Sequence, residues 1–338
     1  MNSYFLKNSK KLIISMAATL IFSSSVFANT LIGKIGHAMP NEHPQSQTVE
    51  YFSNLVNKYT DGRVKIQVFS GGTLGGDEKM LRATQAGTQE LYYGSLAPIS
   101  GRVKELQAFD IPFVFNNMEE VDAVFRGPMG QQMFELLEPL NLVGLVWVET
   151  GFRNVSNNKH PINKAEDLKG LKIRVMQNQI ALETFKAMGV NALPMDFSEV
   201  FTALETGVID GQENPLIHMY ANKMQEVQKY ITITNHVYTP SIILVSKRFW
   251  DKLTPEDQQA VQRAAKEAQL FHRNVMTEAD KNVIQQLTNA GVTVEKLDPA
   301  EIDKLREAVK PIVNKYIPVI GEEFVNNYFS EVENARRK

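Results

Sequence analysis

The chain has 338 residues, 43% apolar and 22% charged, the balance of a soluble globular protein with room for two domains of ordinary size. Formal net charge is −2, from 36 basic and 38 acidic residues, so the basic excess with which nucleic-acid binders replace counterions is missing and no nucleic-acid partner is expected. There is no cysteine, which excludes disulfides, thiol nucleophiles, iron–sulfur clusters and cysteine-ligated zinc.

The first segment reads as an export signal. Lys7, Lys10 and Lys11 form a positive region. Leu12–Phe22 is apolar but shorter than the about 20 residues that span a bilayer, and Val26-Phe27-Ala28 fits a cleavage site. Residues 1–28 are therefore expected to be a signal peptide cleaved after Ala28, leaving a periplasmic protein. The segment holds three lysines and no acid, so its removal moves the net charge from −2 to −5.

Beyond it, strand-like and helix-like patterns alternate. Leu31–Ile35 and Val64–Val68 alternate as strands do, and Leu142–Val148 is a nearly continuous apolar run, as in a strand buried on both faces. Leu171–Met176, Tyr230–Tyr238 and Ser241–Ser246 are further strands. Helical patterns fall at Gln47–Tyr59, Lys79–Thr88, Gln179–Met188 and Ser198–Thr206. This alternation predicts βαβ units and a mainly parallel sheet covered by helices. Thr254-Pro255-Glu256-Asp257 has a cap, a first-turn proline and first-turn acids, and opens a helix without Gly or Pro to about Asn289. At ~1.5 Å per residue it is about 50 Å long, enough to lie across two domains. Asp298-Pro299-Ala300-Glu301 opens another. Ala83-x-x-x-Gly87-x-x-Glu90 recurs as Ala203-x-x-x-Gly207-x-x-Asp210, either two unrelated capped helices or two lobes on one plan with a ligand between them.

Signals for catalysis are weak. Six histidines occur without HExxH or another close metal spacing, and there is no G-x-S-x-G elbow or Walker A sequence, so no metal, cofactor or catalytic residue is assigned. Gly71–Gly76 lacks the Lys-Ser/Thr of a P-loop; it is a flexible turn, or a loop that brings Asp77 and a helix N-terminus to a ligand. In Leu171-Lys172-Ile173-Arg174-Val175 the apolar residues share one face, and Arg174 sits on the other at the strand's C-terminal end, where ligands of open α/β sheets bind. A guanidinium there matches a carboxylate bidentately, or else forms a structural ion pair. Arg153, after the buried strand and Thr150-Gly151, carries the same two readings. Asn214 is a turn residue before Pro215 or a hydrogen-bonding group between lobes; Phe197 is core or an apolar wall against a carbon skeleton.

Four blocks in this order resemble the extracytoplasmic solute-binding subunits of TRAP transporters, the DctP-type family, over essentially the whole chain after residue 28. They are Gly151–Asn158, Asp167–Val175, Pro194–Val200 and Asp210–Pro215. The resemblance implies an α/β, two-lobed periplasmic-binding-protein-like fold with hinge strands and a long C-terminal helix crossing both lobes. The expected division is 29–150 plus 240–279 for lobe I and 151–239 plus 280–338 for lobe II. It implies that Arg174 pairs with a substrate carboxylate, assisted by Arg153, that Asn214 of the block containing Glu213 contacts ligand, and that Phe197 lines the pocket. Asp77 and Gln177 stand where sialic-acid-binding relatives face ligand. Those relatives carry a Glu at Ser95, which argues against sialic acid here. His43 and Glu42 either hydrogen-bond ligand hydroxyls or a second carboxylate, or cap the following helix.

The expected function is thus capture of a small organic acid anion by a monomeric binder, not an enzyme, for small and large TRAP membrane subunits. A sugar acid (a hexuronate or aldonate such as glucuronate) is favoured, because Ser95, Gln177 and Asn214 suit a hydroxylated skeleton. A C4-dicarboxylate is the alternative ligand. An exported enzyme acting on anionic sugars and a ligand sensor are the alternative classes.

Overall fold

The structure, a computed structural model, describes residues 30–337; the expected cleavage after Ala28 lies outside them. Strands β1 (Leu31–Gly36), β2 (Val64–Phe69) and β3 (Leu91–Ser95) alternate with α1 (Pro44–Tyr59) and α2 (Asp77–Ala86). Three helices follow, α3 (Ala97–Ser100), α4 (Met118–Phe125) and α5 (Pro128–Glu135). The long strand β4 (Leu142–Asn157) leads into β5 (Lys172–Val175), α6 (Gln179–Ala187), β6 (Asn191–Pro194), α7 (Phe197–Glu205), β7 (Gly211–Asn214) and α8 (Leu216–Ala221). A second long strand, β8 (Tyr230–Ser246), precedes α9 (Lys247–Trp250), α10 (Pro255–Asn289), β9 (Thr293–Lys296), α11 (Pro299–Ile320) and α12 (Glu322–Arg336).

The strands form one sheet in the order β2-β1-β3-β8-β4-β7-β5-β6, with β9 beside β8. Its pairing is mixed, where the sequence pattern predicted a mainly parallel sheet. Within each half the βαβ units are parallel: β1 with β2 and β3, and β5 with β6 and β7. The antiparallel pairs are those made by the two long strands, with each other, β3 with β8, and β7 with β4. β4 and β8 run the length of the molecule and serve both halves, so the fold is two α/β lobes joined by hinge strands. Their ladder shifts register between Glu149 and Gly151, where Gly151 takes φ 120°, a conformation open chiefly to glycine. Pro240, opposite Glu149, lies within β8, so the two strands expected at 230–238 and 241–246 are one.

The recurring Ala-x-x-x-Gly pattern has a structural counterpart. Gly87 and Gly207 follow α2 and α7 with φ 74° and 73°, and each lets the chain turn back into a strand, β3 or β7, that lies antiparallel to a hinge strand. α10 starts at the expected cap: the Thr254 hydroxyl accepts from the Asp257 N–H at 3.1 Å. It serves both lobes, with Val261, Ala264 and Ala268 packed among Ile35, Phe52 and Val148, and Met276, Val283 and Leu287 packed among Val200, Leu204 and Ile217. α11 also crosses. Leu305 and Val309 join Ile173 and Phe185, whereas Tyr316 and Ile320 join Leu106 and Phe125. Val325, Tyr328 and Val332 of α12 belong to that last cluster too, and α12 packs mainly on α4, in the 29–150 segment, whereas the expected division places 280–338 in lobe II.

Candidate functional site

The lobes meet over a small cleft beside the hinge, lined from both lobes and from the hinge strands. Arg174 enters it from the end of β5 with only 4% of its surface exposed. Its Nε and Nη2 donate to the Met195 carbonyl at 2.9 and 2.7 Å, and the Phe197 ring lies 5.8 Å from the guanidinium carbon. Those bonds use two of five N–H donors, and among the described residues no carboxylate forms an ion pair with it. Burial pulls its pKa down to about 10; Glu213, Asp196 and Asp77 push it back only in part, and Arg153 works against them.

Arg153 is differently placed. It is 3% exposed, and its fork closes on Glu213, with Nη2 2.8 Å from Oε1 and Nε donating to Oε2. His236 Nε2 lies 3.1 Å from the same Oε2. Burial pushes the Glu213 carboxyl up, but Arg153 and His236 outweigh it and hold the pKa at about 2. Arg153 therefore lines the cleft as half of an internal ion pair, and Glu213 stands behind it rather than on the cleft wall.

Asp77 begins α2 after the glycine-rich turn and reaches the cleft. It accepts from the Tyr92 hydroxyl at 2.8 Å. Burial raises its pKa to about 6, against the pull of that hydroxyl; Asp196 adds to the rise and Arg174 opposes it. Ser95 and Asn214 also line the cleft: Ser95 Oγ accepts from the Ala97 N–H at 3.1 Å, and Asn214 Nδ2 donates to Gln212 Oε1. Gln177 is half-buried and lies off the cleft lining. His43 is the N-cap of α1, its Nδ1 accepting from the Gln45 N–H at 3.0 Å, and it too lies off the lining. In its place His218 faces the cleft, with Nδ1 3.3 Å from His43 Nε2.

The sequence reading missed His218, Gln45, Met39 and the facing hydroxyls of Thr150 and Ser241. His218 stands on the first turn of α8, directly after the Asp210–Pro215 block, and that adjacency was the available signal. Thr150 and Ser241 are 91 residues apart and meet only through the hinge ladder. The lobes are in contact across the cleft. Gly76 abuts the Asp196 carboxylate, Asn178 Nδ2 donates to Asp110 Oδ1 at 3.2 Å, and His43 meets His218.

Two hinged lobes closed over a cleft that holds a buried arginine define a solute-binding protein of the periplasmic type. The comparisons give the family: residues 35–318 match the family model for bacterial extracellular solute-binding protein family 7, DctP, and the chain belongs to that family. It is 38% identical to the sugar acid binding protein DctPAm of Advenella mimigardefordensis, solved in complex with galactonate, with a TM-score of 0.88 over 90% of this chain and 99% of that one. The 2,3-diketo-L-gulonate-binding periplasmic protein YiaO of Escherichia coli is 32% identical, covering 90% of this chain and 93% of the relative. The C4-dicarboxylate-binding periplasmic protein DctP of Rhodobacter capsulatus is 30% identical, covering 93% and 95%. The protein is thus a solute-binding component of the TRAP type, a family that is extracytoplasmic and works with membrane subunits. Among the described residues no helix is long and apolar enough to cross a membrane.

Proposed function

We propose that the protein captures a carboxylate-bearing sugar acid, a hexuronate or aldonate such as glucuronate, and delivers it to TRAP membrane subunits. The observation that carries this reading is Arg174, a buried guanidinium in the cleft with unused donors and, among the described residues, no carboxylate partner. An uncompensated buried charge is unfavourable, and a ligand carboxylate on its open edge satisfies both the charge and the fork. Phe197 then packs against the carbon skeleton, and Asp77, Ser95, Asn214, Thr150 and Ser241 offer hydrogen bonds to hydroxyls. A C4-dicarboxylate asks for a second free cation, and Arg153 is already neutralised by Glu213. The galactonate and diketogulonate relatives support the sugar-acid reading.

In this reading the ligand binds one lobe and gains its remaining contacts only when the other closes, which shifts the hinge equilibrium toward the form the permease engages. The protein is exported with cleavage after Ala28, acts as a monomer, and releases its ligand chemically unchanged. Lobe I takes residues 29–150 and 240–279 together with the terminal helix, and lobe II takes 151–239 with β9 and the first half of α11. A thermal-shift panel of glucuronate, galactonate, succinate and sialic acid, followed by calorimetry on each positive, tests the reading. A sugar acid is expected to give the largest rise in melting temperature, by mass action. A larger rise with succinate, or none with any sugar acid, overturns it.

A further inference from the structure

A short hydrogen-bond relay runs from the backbone at the start of α1 to the cleft wall. The Gln45 N–H can only donate, and it points at His43 Nδ1 from 3.0 Å, so that nitrogen is the acceptor and the His43 ring carries its proton on Nε2. His43 Nε2 faces His218 Nδ1 at 3.3 Å, so Nε2 donates and His218 Nδ1 accepts. A neutral His218 must then hold its proton on Nε2. Among the described residues that nitrogen has no hydrogen-bond partner, nor is it sealed from water, and the ring lines the cleft. Burial keeps both rings neutral: the His218 pKa falls to about 3, helped by the charges of Arg153 and His272, and that of His43 falls well below its ordinary value, pushed further by His218, His272 and His37.

We propose that His43 is a positioning residue that fixes His218 in one tautomer, and that His218 Nε2–H is a dedicated uncharged donor to a ligand hydroxyl or keto oxygen. The proposal rests on the sugar-acid reading above and deepens it, because it names a residue that selects oxygenated skeletons over plain ones. The geometry explains why a histidine serves here. A cation would compete with Arg174 for the carboxylate, whereas a neutral donor held at one angle recognises a lone pair and leaves the carboxylate where the guanidinium holds it. The relay also crosses the cleft, since His43 belongs to the β1–α1 connection and His218 to α8, so the donor is oriented only when the lobes are together.

Two measurements test this. Long-range ¹⁵N–¹H spectra of ring-labelled protein closed on whichever acid of the thermal-shift panel binds are expected to show His218 protonated on Nε2 with Nδ1 bare, and His43→Leu is expected to mix the His218 tautomers. A His218 ring protonated on Nδ1 in the wild type overturns the relay. In calorimetry with galactonate and glucuronate, His218→Leu is expected to lose about 10- to 100-fold in affinity, the scale of one lost buried hydrogen bond. His218→Gln, which keeps an N–H donor, is expected to recover most of the loss, and His43→Leu to fall between. An affinity for His218→Leu within twofold of wild type overturns the donor role, while loss of binding in Arg174→Ala would still uphold the carboxylate site. If the acid that binds the wild type is not a sugar acid, the reading under the proposal fails, and the spectra of that closed complex still decide the relay.

Discussion

Arg174 and Arg153 are the same residue type, on strands β5 and β4 with β7 between them, with opposite fates. Arg153 has its carboxylate inside the protein; Arg174 has a carbonyl and a cleft. Arg174→Ala is therefore predicted to weaken ligand binding by ~3–5 kcal/mol, the cost of leaving one half of a buried pair alone, or about 10²–10³·⁵ in Kd at 1.4 kcal/mol per decade. Calorimetry showing less than a fivefold change would sink the assignment. The acids in and behind the cleft give opposite pH slopes. The Glu213 pKa is depressed from 4.5 to about 2, so its ion pair stabilises the fold fully above 4.5 and that contribution is lost as pH falls through 2. The difference amounts to about 3 kcal/mol, at 1.36 kcal/mol per unit. Asp77 is raised from 3.8 to about 6, so ionising it costs stability as pH rises through that window. Asp77→Asn is predicted to gain on the wild type by up to about 3 kcal/mol between pH 4 and pH 8. Denaturant titrations at half-unit steps check it, and a flat difference would count against a raised Asp77.

At the scale of elements, the boundaries that carry a local chemical signal were legible and those set by distant contacts were not. The Thr254 cap with Pro255 placed α10 within a residue, and the alternation around Arg174 placed it at the end of β5. The gap between the expected strands Tyr230–Tyr238 and Ser241–Ser246 falls on Thr239-Pro240, and a proline cannot donate to a ladder. The structure absorbs it opposite Glu149, at the register shift where that donor is not needed. The mixed sheet was hidden for a similar reason: pairing direction is decided by how β4 and β8 traverse the molecule, and no local period records it. His43 was read as a ligand contact or a cap; it is the cap, and the histidine at the cleft comes from α8, 175 positions away. Closure makes an element-scale prediction at Gly76. Its backbone, φ −70° and ψ 171°, suits any residue, so alanine costs nothing there in conformation. An added Cβ would stand 2.3 Å from the Asp196 carboxylate oxygens. Asp196 cannot swing away freely, because it caps α7 through the Ser198 N–H at 2.9 Å and the Ser198 hydroxyl at 2.7 Å. Gly76→Ala should leave the unliganded protein as stable as before yet raise Kd by about 10-fold, near the low end of what overpacking costs. Small-angle scattering with saturating ligand would show incomplete closure; equal Kd for variant and wild type would refute it.

For the whole molecule, net charge sets a constraint on association. Without residues 1–28 the chain carries −5, so at long range it repels the anion it is proposed to bind. Among the described residues of the cleft, Arg174 is the cation without an ion-pair partner, and its field is countered nearby by Asp77, Asp196 and Glu213. Salt therefore acts mainly on the approach. Raising ionic strength from about 0.01 M to about 0.15 M shortens the screening length from about 30 Å to about 8 Å, which hides the distant negative surface but barely touches a buried guanidinium–carboxylate pair. The association rate is predicted to rise modestly, less than about threefold, over that range, with dissociation nearly unchanged. Trp147, packed on the hinge strand β4 against Phe109 and Phe134, is a native fluorophore for the stopped-flow measurement. An association rate that falls steeply with salt would mean that a long-range positive field guides the ligand, and the single-cation account of the cleft would have to be abandoned.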